Sequence, residues 1–413
     1  MRKKILVRGP VLSQSGYGEQ SRFAIRCLRA HEDKFDIYIV PVGWGGTGWT
    51  TEKTEERRWI DFIIGKTNHA LANKVPFDVS LQITIPNEWE RLAPINVGYT
   101  AGIECDKIDP VWIEKAKIMD RIIVISNHAK SGFDNTVWKG TAPDNSSVVL
   151  KNSVPVDAVN YAVRKWEPTD IKIDLDYDFN FLCVAQWGPR KNLINTVKWF
   201  VEECYDREVG MVVKCNIRKN NINDKLETER KIKLMLDAYP DRKCKVYLVH
   251  GDMEQSELSA FYEHPKIKAL VSISHGEGFG LPIFEAVCHG LPVIAPDWGG
   301  QCDFLYAPVR RGKKTKQKPL FSRVAYTLGP VQDFAHWEGV IHPEANWCYP
   351  DSGDYKMKLR DMEKNYDKHL KSAKKLQKHV LKEFAQEKQY KKFADAVSAA
   401  LPSAESNVVK VFG

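Results

Sequence analysis

No stretch of the 413 residues approaches the roughly 20 consecutive apolar positions that a membrane-spanning helix needs. The apolar run near the start, Ile5-Leu6-Val7, is far shorter than a signal peptide's core of about 7–15 residues. The expectation is a chain that is neither secreted nor membrane-spanning. There is no C-x-x-C pair, and the nine cysteines are scattered and odd in number. That argues against a zinc site or a disulfide framework and for a reducing compartment, the cytoplasm. The loop after the first strand-like run is neither G-x-G-x-x-G nor a Walker sequence, so dinucleotide or ATP binding has no support there. Low-complexity sequence is also missing, apart from one short basic run at 310–318.

What is present is globular: 43% hydrophobic, 11% aromatic and 28% charged residues, in a length that suits two or three domains. The net charge of +8 is uneven. Residues 1–300 balance, with 40 basic and 40 acidic side chains, and residues 301–413 hold 21 basic against 13 acidic. Most of the late lysines fall at 355–400, among apolar residues at helical spacing, and read as a solvated helix face.

Strand-like runs alternate with helical periods, the pattern of an α/β chain with parallel sheets. Strands are expected at 4–8, 36–42, 79–85, 96–100, 121–126 and 147–152, with a helix at 19–30. A polar stretch at 161–178 reads as a linker. A second series follows, with strands at 179–186, 210–215, 245–250, 269–274 and 292–295 separated by helices. The expected plan is an acceptor domain at 1–165 joined by a C-terminal helix at about 380–413, and a nucleotide-sugar domain at 166–379. A cleft between them is the expected ligand site.

The chemistry concentrates at 274–300, SHGEGFGLPIFEAVCHGLPVIAPDWGG. Gly276, Gly278 and Gly280 let backbone amides approach a ligand, and Pro282 suits a first helical turn. The helix start then offers free N–H groups to an anion. Glu277 and Glu285 are ill-suited to phosphate and well suited to accept hydrogen bonds from hydroxyls. A molecule with phosphate in the middle and hydroxyls on both sides, a sugar nucleotide, fits this pattern.

The Glu277-x7-Glu285 pair within EGFGLPIFEA, followed by GLPVIA and Gly299-Gly300, resembles the signature of family 4 glycosyltransferases. The resemblance implies an α/β chain of GT-B fold: two Rossmann-like domains facing across a cleft, with a C-terminal helix crossing back to the first. It also implies retaining, metal-independent transfer from a nucleotide diphosphate sugar, with no cofactor. Glu277 would orient the sugar and Glu285 the ribose. Arg190 and Lys191 in VAQWGPRKN would hold the diphosphate together with the amides of Gly278, Phe279, Gly280 and Leu281. Many relatives carry an arginine five residues before the lysine; here Gln186 stands there, and Arg190 is expected to substitute. The loop bearing Gly16, Tyr17 and Gly18 resembles the one that reaches the donor phosphates, and His250 ends a strand where the base often lies. Glu104 is the expected acceptor-side carboxylate, near Ser126-Asn127. Where relatives place a cleft histidine, residues 80–86 offer only Gln82. The resemblance also implies that the leaving phosphate can deprotonate the acceptor, so a strong protein base is not required.

One segment does not fit. Six of the nine residues at 310–318 are cations: Arg310, Arg311, Lys313, Lys314, Lys316 and Lys318. A loop here could grip a polyanionic acceptor such as DNA with a hydroxymethylated base, the acceptor of some viral glycosyltransferases; the enzyme would then work in a host cytoplasm. A glycan or lipid-linked sugar is the alternative acceptor. A nucleic-acid-binding module with a degenerate transferase site is the alternative function, against which the intact Glu277 and Glu285 argue. The sequence leaves the oligomeric state open.

Overall fold

Strands in a parallel sheet are covered on both faces, so they coincide with the chain's most apolar runs. Residues Val79–Ile83, for instance, are buried at every position. A computed structural model describes residues 2–51, 53–141, 146–312 and 314–402. In the first half, β1 (Lys3–Gly9), α1 (Gly16–Arg29), β2 (Phe35–Pro41), α2 (Glu55–Ala72), β3 (Val79–Ile83) and β4 (Ile95–Thr100) come first. They are followed by α3 (Pro110–Ala116), β5 (Arg121–Val124), α4 (Asn127–Asn135), β6 (Val137–Thr141), β7 (Ser147–Lys151) and β8 (Val156–Ala158). Six of these strands make one parallel sheet in the order β2-β1-β3-β4-β5-β8.

The expected final strand of this half is not in that sheet. Residues Ser147–Lys151 pair antiparallel with Val137–Thr141 as a separate hairpin. The free edge of β5 is taken by β8, leaving Val148 and Val149 exposed. Residues 161–178 carry no helix or strand, as expected of a linker, yet Tyr161, Ala162 and Leu175 are buried in the core.

The second half begins β9 (Asn180–Gln186), α5 (Leu193–Cys204), β10 (Gly210–Asn216), α6 (Ile222–Leu236), β11 (Lys245–Val249) and α7 (Gln255–Glu263). It continues β12 (Ile267–Val271), α8 (Leu281–Cys288), β13 (Val293–Pro296), α9 (Cys302–Leu305), β14 (Tyr306–Arg311), β15 (Lys314–Pro319), β16 (Ser322–Val324), β17 (Tyr326–Pro330) and β18 (Asn346–Pro350). Its sheet runs β11-β10-β9-β12-β13-β16, all parallel. Numbered within this half, that is 3-2-1-4-5-6, the order that opens a crevice at the C-terminal ends of its first and fourth strands. Those strands are β9 and β12. In the first sheet the order reverses between β1 and β3. Ligand loops are thus expected after β1 and β3 in one half and after β9 and β12 in the other.

The basic run, expected as a loop, is instead the β14–β15 hairpin. Lys313 and the Arg311 side chain lie outside the described residues.

The expected single terminal helix is three: α10 (Ser352–Lys364), α11 (Tyr366–Glu383) and α12 (Gln386–Ser398). Most lysines of α11 stay solvated, and it buries only Ala373, Leu376 and Val380. Phe384 follows it and packs on Phe284 and Phe304 of the second half. The chain then turns, and α12 crosses to the first half, where Phe393 meets Phe23 and Tyr99 with ring centroids 5.8 and 5.0 Å apart. The linker and this return crossing lie side by side, joined by a hydrogen bond from the Val163 amide to the Phe384 carbonyl. Of the expected helix at about 380–413, residues 403–413 lie outside the described residues. All nine cysteines are free, and no helix among the described residues is long and apolar enough to cross a membrane.

Candidate active site

Two loops at the second sheet's reversal point carry the charged residues. After β9, Pro189–Lys191 form one turn of 3-10 helix, and Asn192 takes a left-handed conformation (φ 51°) that starts α5. After β12, the loop bearing Glu277 runs into α8, with Gly280 at φ 88° as its N-cap. A side chain at Gly276 would strike the Glu104 carbonyl, so this glycine lets the loop press against the first half.

Four predicted residues meet in one ion cluster. Lys191 Nζ lies 2.6 and 2.8 Å from the two Glu277 carboxylate oxygens. Arg190 donates to the Gly276 carbonyl at 2.7 Å and to Glu277 at 3.3 Å. Its other terminal nitrogen is 3.4 Å from Glu104, which follows β4 of the first half. Ser274 Oγ donates to Glu277 at 2.8 Å. Arg190 therefore bridges a carboxylate from each half.

Electrostatics order the cluster. Burial pushes the Glu277 carboxyl up, but the Lys191 and Arg190 charges outweigh it and hold it at about 2, so it is ionised at neutral pH. Burial and the neighbouring Arg190 draw the Lys191 ammonium down against the pull of Glu277. For Arg190 burial also acts downward, but Glu104 and Glu277 reverse it and the guanidinium is held above its usual range.

The loop amides complete an anion cradle. Among the described residues, no acceptor takes the N–H of Gly278, Phe279, Gly280 or Leu281. Free amides at a helix start, beside two cations, suit a phosphate. Phe279 itself is core, packed on Tyr161, Phe284 and Phe304.

Glu285 stands apart from the ion cluster. Its carboxylate accepts a 2.9 Å hydrogen bond from Tyr262, and burial raises its pKa to about 7 with Tyr262 opposing. His250 Nε2 is engaged 2.7 Å from Asp224, both nearly buried. Gln186, at the expected arginine position, donates to the Ile217 carbonyl. Tyr17 shares a 2.7 Å hydrogen bond with Thr100 and packs on Trp44 with its ring tilted. A side chain at Gly18 would strike the Ser13 carbonyl, whereas Gly16 faces open space. Gln82 is a structural residue, bonded in both directions to the Glu90 backbone.

Three participants escaped the sequence reading. Ser274 was adjacent to the motif but unassigned, and nothing in the sequence joins Tyr262 to Glu285. The third is His128 at the start of α4, which meets the second half. Its ring packs edge-on to Trp298 of the second half at 4.7 Å, and its Nε2 has no hydrogen-bond partner among the described residues. Burial lowers its pKa to about 4. Its neighbours Ser126 and Asn127, singled out as acceptor-side residues, also tie the halves together. Ser126 donates to the Gly278 carbonyl at 2.6 Å, and the Asn127 amide to Asp303 at 2.9 Å.

Comparison with known proteins bears on the fold and on the class of domain that carries these loops. Residues 178–308 match the family model described as "Glycosyl transferases group 1". A stretch of 128 residues is 31% identical to probable sucrose-phosphate synthase 1 of Craterostigma plantagineum; it is 30% of this chain and covers only 12% of that relative's length. A glycosyltransferase from Rickettsia africae superposes with a TM-score of 0.61 at 12% identity, over 98% of this chain and 100% of the other. The sucrose-phosphate synthase of Thermosynechococcus elongatus gives 0.60 at 13% identity, over 95% and 98%. At these identities the likeness establishes architecture, and the two facing sheets with the returning α12 are that architecture. The chain has the GT-B fold, and its residues 178–308 are similar to the group 1 glycosyltransferase domain.

Proposed function

We propose that the protein is a retaining, metal-independent glycosyltransferase that moves a sugar from a nucleotide diphosphate sugar to a hydroxyl acceptor. The observation that carries this reading is the Glu104–Arg190–Glu277–Lys191 cluster beside the free amides of Gly278, Phe279, Gly280 and Leu281. In the reaction, the bond between the anomeric carbon and the diphosphate oxygen breaks, and a bond from that carbon to the acceptor oxygen forms on the same face. The acceptor's proton passes to the departing diphosphate oxygen. Charge accumulates on the diphosphate, and Arg190, Lys191 and the loop amides are fixed donors that stabilise it without reorganising. Glu277 holds the sugar hydroxyls, and Glu285 holds the ribose. Gly16, Tyr17 and Gly18 close on the phosphates from the first half.

The test is a turnover screen against a panel of nucleotide sugars, with chelator present. Release of nucleoside diphosphate that survives chelation, and a transferred sugar that keeps its anomeric configuration by NMR, are the expected results. Glu285→Gln should cut turnover by orders of magnitude while leaving the circular dichroism spectrum unchanged. Wild-type turnover in that variant would remove the site assignment.

For the acceptor, one observation favours DNA carrying a hydroxymethylated pyrimidine. Lys314, Lys316 and Lys318 occupy alternate positions of β15 and so share one face of the hairpin. Among the described residues none of them, nor Arg310, makes an ion pair with a carboxylate. Lysines about 6.8 Å apart on a strand repel one another unless a polyanion neutralises them. The modified base would be drawn out of the stack to reach the sugar. A mass gain on 5-hydroxymethylcytosine DNA supports this acceptor; transfer only to glycan or lipid-linked sugar replaces it.

A further inference from the structure

A second loop stands at the cleft beside the one bearing Tyr17. Residues 43–50, GWGGTGWT, leave the C-terminal end of β2 with four glycines and two tryptophans in eight positions. The loop is pinned along residues 12–14. The Gln14 amide donates to the Gly48 carbonyl at 2.9 Å, and the Thr50 amide to the Leu12 carbonyl at 2.8 Å. Ser13 and Thr47 share a 2.6 Å hydroxyl contact. Trp44 packs on Tyr17 in a tilted contact, with ring centroids 4.2 Å apart. At its apex the loop reaches the other half: a side chain at Gly46 would touch Lys219, which follows β10.

Trp49 is left with 55% of its surface exposed, and no ring or hydrogen-bond partner for its indole appears among the described residues. Lys219 is exposed as well. Neither it nor Arg218 makes an ion pair with a carboxylate among the described residues. An open indole face and unneutralised cations at one cleft mouth are the composition of a single-strand nucleic-acid site, in which bases stack on aromatics and phosphates meet cations.

We propose that the 43–50 loop is a stacking site for an unpaired nucleotide of the acceptor strand, with its base on Trp49 and its phosphate on Lys219. This rests on the DNA reading of the acceptor above. Glycine supplies the shape: Gly45 has φ +51°, a conformation that side chains disfavour, and Gly43 and Gly45 face open space. Without side chains at Gly43 and Gly45, the loop adds little bulk around its two tryptophans.

The experiment is fluorescence anisotropy of a labelled oligothymidylate titrated with the full chain at several salt concentrations. Trp49→Ala should weaken binding about tenfold or more, and Trp49→Phe should recover most of the loss, because a smaller ring still stacks. Lys219→Ser should lower the slope of log affinity against log salt by about one. Equal binding by wild type and Trp49→Ala overturns the proposal. So does quenching of the Trp49 fluorescence (wild type minus Trp49→Phe) by an oligosaccharide and not by the oligonucleotide. Donor hydrolysis is followed in parallel. Turnover without Trp49-dependent DNA binding removes the stacking site and leaves the transferase. Trp49-dependent binding without turnover of any nucleotide sugar removes the transferase and leaves the stacking site.

Discussion

The two halves share a strand-helix plan and differ in how their loops are finished. In the second half, the reversal point between β9 and β12 ends in short, bonded turns. Asn192 Nδ2 donates to the Ile273 carbonyl, the His275 amide to the Arg190 carbonyl, and Ser274 to Glu277. In the first half, long segments leave the sheet after β2 and after β5, and exposed side chains ride on them, Trp49 on the first and Val148 and Val149 on the second. On the function proposed above, the half that would bind the donor is built around fixed charges, and the half that would meet the acceptor presents exposed side chains on its loops.

Four changes would break or sharpen that contrast. The largest effect is expected from Phe393→Ala, which removes a buried ring holding α12 to the first half. A loss of about 3–5 kcal/mol is expected, read by denaturant unfolding. A loss below 1 kcal/mol would mean that α12 contributes little to joining the halves. Glu277→Gln is next: turnover should fall about 10²–10³-fold, since the variant loses both the charge that sets Arg190 and Lys191 and an acceptor for the sugar hydroxyls. Glu104→Gln removes only the first half's share of the cluster, a pair at 3.4 Å with both side chains over a quarter exposed. A drop of about tenfold is expected, and a drop as large as that of Glu277→Gln would show that the halves contribute equally.

The smallest effect is one of pH. Because the folded Glu285 carboxyl sits at about 7, above its unfolded value, the native state holds the extra proton between roughly pH 4.5 and 7. Stability attributable to this group therefore declines as pH rises through that window and is level above it. Glu285→Gln should melt a few degrees higher than wild type at pH 8 and together with it at pH 4. Identical melting at both values would place Glu285 in contact with solvent.

Much of the second half was legible because its chemistry is local. EGFGLPIFEA spans a strand end, a turn and a helix start, and VAQWGPRKN does the same after β9, so motif and geometry coincide. What remained hidden depended on contacts across the chain. Glu104 follows a strand 86 residues before Arg190 and reads alone as one more carboxylate. His128 is hidden because its partner, Trp298, lies 170 residues further along the chain. The 147–151 strand was recognised but misplaced, since strand propensity does not say which edge is vacant. The basic run was recognised as charge but not as a hairpin, because six like charges mask the pairing of Tyr306–Arg311 with Lys314–Pro319.

The side-by-side crossings at Val163 and Phe384 have a mechanical consequence. Two halves joined by one linker can swing and twist in any direction, whereas two parallel connections leave a single easy rotation, about the line that joins them. An opening of the cleft about that line would retrace itself on closing, so that the cluster at Arg190 and the tryptophan loop would part and meet again in register. A single proteolytic cut in residues 165–175 would leave the halves attached through the return crossing, but free that rotation to wander.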